Sequence, residues 1–149
     1  MEKINHKLNI ILEALTSLKT GISLFNEHSE LFDTNPNEKN KQLFLSMRDS
    51  MIKRFAYCTD LFWKIIRFYL EDVEKVDLPI NAPRVILREA VKAKLLSEEE
   101  GEACIHMVES RNKTSHIYHA EVAQNIAHMV PEFYTLMELI INRIEKNLI

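Results

Sequence analysis

Apolar residues recur every three or four positions along most of this chain, while turn residues are scarce. Its 149 residues include only two Gly and four Pro. Three-to-four spacing places side chains on one face of a helix, whereas a strand requires alternation. A β architecture also needs many turns, which Gly and Pro supply. The expected fold class is all-α, a four-to-five-helix up-and-down bundle forming a single domain over residues 1–149. With 46% hydrophobic residues, the chain is expected to bury a core, and disorder is excluded.

The pattern divides the chain into segments. Leu8, Ile11, Leu12, Leu15, Leu18, Ile22 and Phe25 mark a first helix from about residue 3 to the high twenties, broken by Asn35-Pro36-Asn37. A second helix runs from about residue 38 to 72. On it Met51, Phe55, Cys58, Phe62, Ile65 and Tyr69 step by three and four along an apolar face. Its second half, Leu61 to Leu70, is apolar nearly all round, which predicts burial on more than one side and points to a second chain, hence a homodimer. A central place in a monomeric bundle gives the same pattern. The aromatic residues here, Trp63 included, read as core rather than as a base-stacking platform.

Glu74 to Ala82 reads as a connection. Pro83 suits the first turn of a third helix reaching about Leu96. Arg84, Arg88 and Lys92 step by four along it, a basic stripe that suits a solvated face or a phosphate or partner contact. Ser97 and Glu100 form a capping box that opens a fourth helix, from about Glu98 to Lys113. The last helix runs from about Tyr118 to Asn147, with a kink expected at Pro131.

The net charge of −3 argues against a broad nucleic-acid-binding surface. A local basic pocket remains compatible with it, since charges are screened beyond about 8–10 Å. Cys58 and Cys104 stand alone, which fits a reducing compartment. The first residues do not read as a signal peptide, and no apolar run approaches the roughly 20 residues of a membrane span. The expectation is a cytoplasmic protein with no membrane contact and no cofactor.

One stretch departs from the amphipathic pattern. Arg111-Asn112-Lys113-Thr114-Ser115-His116-Ile117-Tyr118 gathers two cations, an imidazole, two hydroxyls and a phenol with a single aliphatic residue among them. On an unbroken helix Arg111 and His116 would sit about 140° apart. A helix junction between Lys113 and Ser115 turns them to one side, with Thr114 or Ser115 as the N-cap of the next helix and its first amides favouring an anion. Arginine offers a planar fork for phosphate, and histidine titrates near neutrality as base or acid. Arg-x-x-x-x-His alone is a weak motif, which a Tyr two residues later narrows considerably.

Four strings occur in order: Ile52-Lys53-Arg54-Phe55 with Asp60-Leu61-Phe62-Trp63-Lys64, then Ala82-Pro83-Arg84, then Arg88-Glu89-Ala90, then Arg111 to Tyr118. From about residue 45 to the C-terminus the chain resembles the HEPN superfamily, in its branch of nucleotidyltransferase substrate-binding proteins. The resemblance implies a helical homodimer partnered by a minimal nucleotidyltransferase, in many pairs a ribonuclease toxin and its antitoxin. It implies a catalytic Arg111 and His116 assisted by Asn112, and AMP attachment at Tyr118. One position departs: the residue after Arg54-Phe55, commonly acidic in this branch, is Ala56.

The chemistry favours metal-independent RNA cleavage, with RNA or nucleotide in a dimer cleft where two copies of His116 supply base and acid. Arg84, Arg88, Lys113 and Ser115 are the expected phosphate, RNA or partner contacts. The alternative is a noncatalytic subunit that holds nucleotide or substrate for the nucleotidyltransferase. His116 and His119 lie three apart, but no third ligand is forced nearby, so no metal site is expected. His106 and His128 read as surface or hydrogen-bonded interior residues.

Overall fold

The computed structural model describes residues 1–149, which form five α-helices and no strand: α1 (Glu2–Thr34), α2 (Glu38–Phe68), α3 (Pro83–Lys92), α4 (Glu98–Asn112) and α5 (Ala120–Asn147). α1 and α2 make a long antiparallel hairpin, α3 and α4 a short pair, and α5 returns along α1 and α2. The helical-bundle class expected from the periodicity is the observed one. The first helix is longer than its stripe suggests and continues to Thr34. The turn after it works as composition implies: Asn37 caps α2 by accepting from the Asn40 amide at 2.8 Å, and the Asn40 side chain donates to the Asn35 carbonyl at 2.9 Å.

α2 is the central element, packed by α1, α3, α4 and α5. Its Phe62, Ile65 and Ile66, and Tyr69 and Leu70 just beyond it, are buried. The all-round apolar stretch therefore has a source within one chain. Phe55 of α2 stacks on Phe133 of α5 with centroids 5.4 Å apart. Ile4, Leu8, Ile11, Leu15 and Leu18 of α1 join the same core. This corrects the expectation that no stretch is long and apolar enough for a membrane. By length and composition α1 is such a stretch, but the bundle already buries its stripe.

The far end of the hairpin differs. No residue from Ile22 to Met47 is buried, although Phe25, Phe32 and Phe44 cluster there with centroids 5.3 and 5.6 Å apart. At Gly21, where this end begins, the Arg54 side chain crosses α1 and donates to the Ser17 carbonyl at 2.9 Å. A Cβ on Gly21 would meet Arg54 Cδ at 3.1 Å, so the small residue makes room for that crossing.

The other corrections lie at helix ends. α2 loosens into a π-turn at Tyr69–Val73. α3 stops at Lys92, and Lys94 follows in the left-handed region at φ 67, which brings the Leu95 amide back to the Ala90 carbonyl. The Ser97–Glu100 capping box forms as read. Glu100 also accepts a two-pronged hydrogen bond from Arg143 of α5, which donates in addition to the Leu95 carbonyl. α5 runs through Pro131 as one continuous helix.

Candidate functional site at the α4–α5 junction

The polar string forms the junction between α4 and α5. Arg111 lies in the last turn of α4, Lys113–His116 make a 3-10 turn, and α5 begins at Ala120. The break expected between Arg111 and His116 is present, but its capping differs. His119 takes the N-cap position of α5 without a side-chain hydrogen bond, and Ser115 is exposed and caps nothing. Thr114 serves the arginine: its hydroxyl donates to the Arg111 carbonyl at 2.8 Å and accepts from Arg111 Nη1 at 3.0 Å. The expected anion site on a Thr- or Ser-capped helix start is therefore replaced by a hydroxyl that fixes a guanidinium.

Asp60 of α2 holds the other side of that guanidinium. Arg111 Nε donates to Oδ1 and Nη2 to Oδ2, both at 2.9 Å, in a side-on fork. The hydrogen bond to Asp60 pushes the Arg111 pKa above its ordinary value, against the opposing effect of partial burial. Three of the five guanidinium N–H groups are thus committed, and two remain for a ligand. Asp60 lies one turn beyond Ala56, on the same side of α2. Asp60, not residue 56, is the α2 side chain that meets Arg111. The motif alone leaves that role unassigned, although the four-residue spacing is a usable signal.

His116, which ends the turn, and Tyr118, just after it, are exposed, Tyr118 at 72%. His116 Nδ1 lies 3.3 Å from the Tyr118 hydroxyl, and the tyrosine ring packs against His119 with centroids 4.4 Å apart. Asn112 is exposed and lines a small cavity of about 150 Å³ with Ala82, Pro83 and Arg84. Arg84 is ion-paired with Glu109, one turn before Lys113. Lys113 is exposed.

Arg88 is not brought to this site. It lines a separate cavity with Glu98 and Glu102 at the start of α4, about 14–20 Å along that helix from Arg111. Lys92 of the same stripe pairs with Glu89. His106 is exposed and meets Phe133 edge-on at 5.7 Å. No three His, Cys, Asp or Glu side chains converge in the geometry of a metal site. Trp63 packs against the core as expected, but it is half-buried and also lines an open cavity beside Lys64.

A family model described as nucleotidyltransferase substrate binding protein like matches residues 11–146. Among solved structures, the chain is similar to a protein from Thermus thermophilus, at 28% identity and a TM-score of 0.72 over 90% of this chain and 98% of that one. It also shares a fold, at 18% identity and a TM-score of 0.63 over 91% and 97% of the two chains, with a chain from a toxin–antitoxin with AMP-PNP. A search of curated proteins gave no match. With the family match spanning nearly the whole chain, and with Arg111 to Tyr118 gathered at one helix junction, this protein belongs to the nucleotidyltransferase substrate-binding protein-like family, of HEPN type.

Proposed function

We propose that this protein is the toxin-type partner of a minimal nucleotidyltransferase, a metal-independent endoribonuclease that acts as a cytoplasmic homodimer. The observation that carries this reading is the oriented Arg111 fork beside an exposed His116–Tyr118 pair. Family membership supports the nucleotidyltransferase partner, and a fold neighbour taken from a toxin–antitoxin supports the pairing. The two unpaired cysteines, both buried, suit a reducing compartment.

In this mechanism His116 takes the proton of a ribose 2′-hydroxyl. The 2′-oxygen attacks the adjacent phosphorus, the bond to the 5′-oxygen breaks, and a 2′,3′-cyclic phosphate remains. The leaving 5′-oxygen takes a proton from His116 of a second protomer, because one imidazole cannot serve as base and acid in the same step. The two free N–H groups of Arg111 meet the non-bridging oxygens, with Asn112 assisting. Lys113, Ser115 and Arg84 contact flanking phosphates. Silencing follows when the nucleotidyltransferase joins the Tyr118 oxygen to the α-phosphorus of ATP, releasing pyrophosphate. The attached AMP places bulk and negative charge beside His116, repelling RNA.

One observation favours a second reading, a noncatalytic subunit that holds nucleotide for its partner. Asp60 occupies the Nε–Nη2 edge of Arg111, an edge that a phosphate also uses in two-pronged pairing. Incubation of the purified protein with tRNA and mixed RNA in chelator, beside His116→Ala, separates the two. Cleavage by the parent alone supports the nuclease. No cleavage by a folded protein whose intact mass shows no adduct supports the holding subunit.

A further inference from the structure

The cavity beside Trp63 has no part in the mechanism above. It measures about 270 Å³, and its lining includes Lys7, Trp63, Lys64, Arg67 and Phe68 together with the acidic Glu71 and Asp72. Pockets for drug-sized ligands run about 300–1,000 Å³, so this one suits a smaller group such as a single base. The Lys7 ammonium sits 5.1 Å from the centre of the Phe68 ring, and that of Lys64 lies 5.9 Å from the Trp63 ring. Neither lysine is in an ion pair, whereas Arg67 and Glu71 neutralise each other. The cavity thus presents two unpaired cations over aromatic surface.

Its position links it to the junction by two independent routes. Along α2, Asp60, Lys64 and Arg67 are four and three residues apart, so they share a face. Lys64 lies about 6 Å and Arg67 about 10 Å along the axis from the residue that grips Arg111. Along the other side, Asn112 shares its small cavity with Ala82, and the neighbouring Asn81 lines the Trp63 cavity. Neighbouring residues of the α2–α3 connection thus line the two cavities, and the α2 face that carries Lys64 and Arg67 begins at the Asp60–Arg111 pair.

We infer that the Trp63 cavity is a nucleotide subsite, which takes the base next to the phosphate held at Arg111 and holds the following phosphate between Lys7 and Lys64. Base–aromatic stacking tolerates any base because every base has a π-face, so the subsite adds affinity without dictating sequence. The register relative to a scissile phosphate rests on the ribonuclease reading, but binding of the strand does not.

Trp63 is the one tryptophan in the chain, so its fluorescence reports on this cavity. The test titrates the full-length protein with a six-nucleotide oligoadenylate carrying 2′-O-methyl riboses, which the proposed chemistry cannot cleave. Saturable quenching is expected. Lys7→Gln and Lys64→Gln should each weaken binding about tenfold, and each should lower the slope of log affinity against log salt by about 0.7, the value for one single-strand phosphate contact. Both lysines are exposed, so the variants should fold, and circular dichroism checks this. A parallel cleavage assay keeps the two ideas apart. Quenching without cleavage upholds the subsite while the nuclease reading falls. Cleavage without quenching overturns the subsite and leaves the nuclease. Emission that responds only to protein dilution, or only to an added nucleotidyltransferase, also overturns it, because the cavity is then a protein contact.

Discussion

Asp60 grips Arg111 through both carboxylate oxygens across 51 residues of sequence, tying the central helix to the α4–α5 junction. The pair is about one-third exposed, so its value lies in orientation more than in stability. Asp60→Ala should change unfolding free energy by less than about 1 kcal/mol. Under the proposed function, the same substitution should lower single-turnover RNA cleavage by at least about tenfold, since a loosened guanidinium loses its aligned geometry. Unchanged cleavage in a folded variant would show that Thr114 alone suffices to aim the guanidinium.

In the proposed function, Tyr118 separates silencing from catalysis. Tyr118→Phe removes the hydroxyl that faces His116 Nδ1 and any attachment point for AMP. The variant should still cleave RNA, within about fivefold of the parent, given the modest worth of a neutral hydrogen bond at an exposed position. Incubated with the nucleotidyltransferase and ATP, it should gain no mass and keep its activity, while the parent gains mass and loses activity. A mass increase in the variant would move the modified residue elsewhere.

Acid should loosen the contact between α5 and the α3–α4 turn. The hydrogen bond from Arg143, with help from the Ser97 backbone, lowers the Glu100 carboxyl from an ordinary 4.5 to about 2. A depressed carboxylate contributes stability that is full above its unfolded value and is lost as pH falls through its folded value. Urea midpoints should therefore drop between about pH 5 and pH 2, with a Glu100 share of about 1 kcal/mol after solvent screening. Glu100→Gln should be less stable at neutral pH and flatter across that window. A parallel pH profile would remove Glu100 from the account.

At Gly101, α4 packs directly against Val91 of α3. A Cβ there would clash with the Val91 side chain, closer than two carbons can approach. Gly101→Ala should destabilise the protein by about 1–3 kcal/mol, the usual cost of overpacking. Val91→Ala in the same chain should recover part of the loss, which a thermal-melt double-mutant cycle measures. Additive losses would locate the strain elsewhere.

Features that depend on near neighbours in sequence are legible in it. The helix stripes, the Asn37 turn and the Ser97–Glu100 box all follow from residues within a few positions of one another. Features made by distant partners are not. Thr114 reads as a cap because a hydroxyl at a helix junction normally is one, yet here it spends its hydrogen bonds on Arg111. Spacing alone does not pair Asp60 with Arg111. The stop of α3 escapes the pattern because a lysine, not a glycine, adopts the left-handed conformation at residue 94. Trp63 reads as core because an aromatic on an apolar helix usually belongs there, and a cavity mouth leaves no mark on periodicity.

The outer part of the α1–α2 hairpin has a kinetic consequence. From Ile22 to Met47 each helix has little but the other to lean on, and its phenylalanine cluster stays half in water. Local opening costs least where few apolar contacts are lost. Its amide hydrogens should exchange with solvent long before those of Phe55 or Phe62, and this end should be the first cut by a protease. The molecule can fray there while the Asp60–Arg111 clamp, deeper along α2, stays closed.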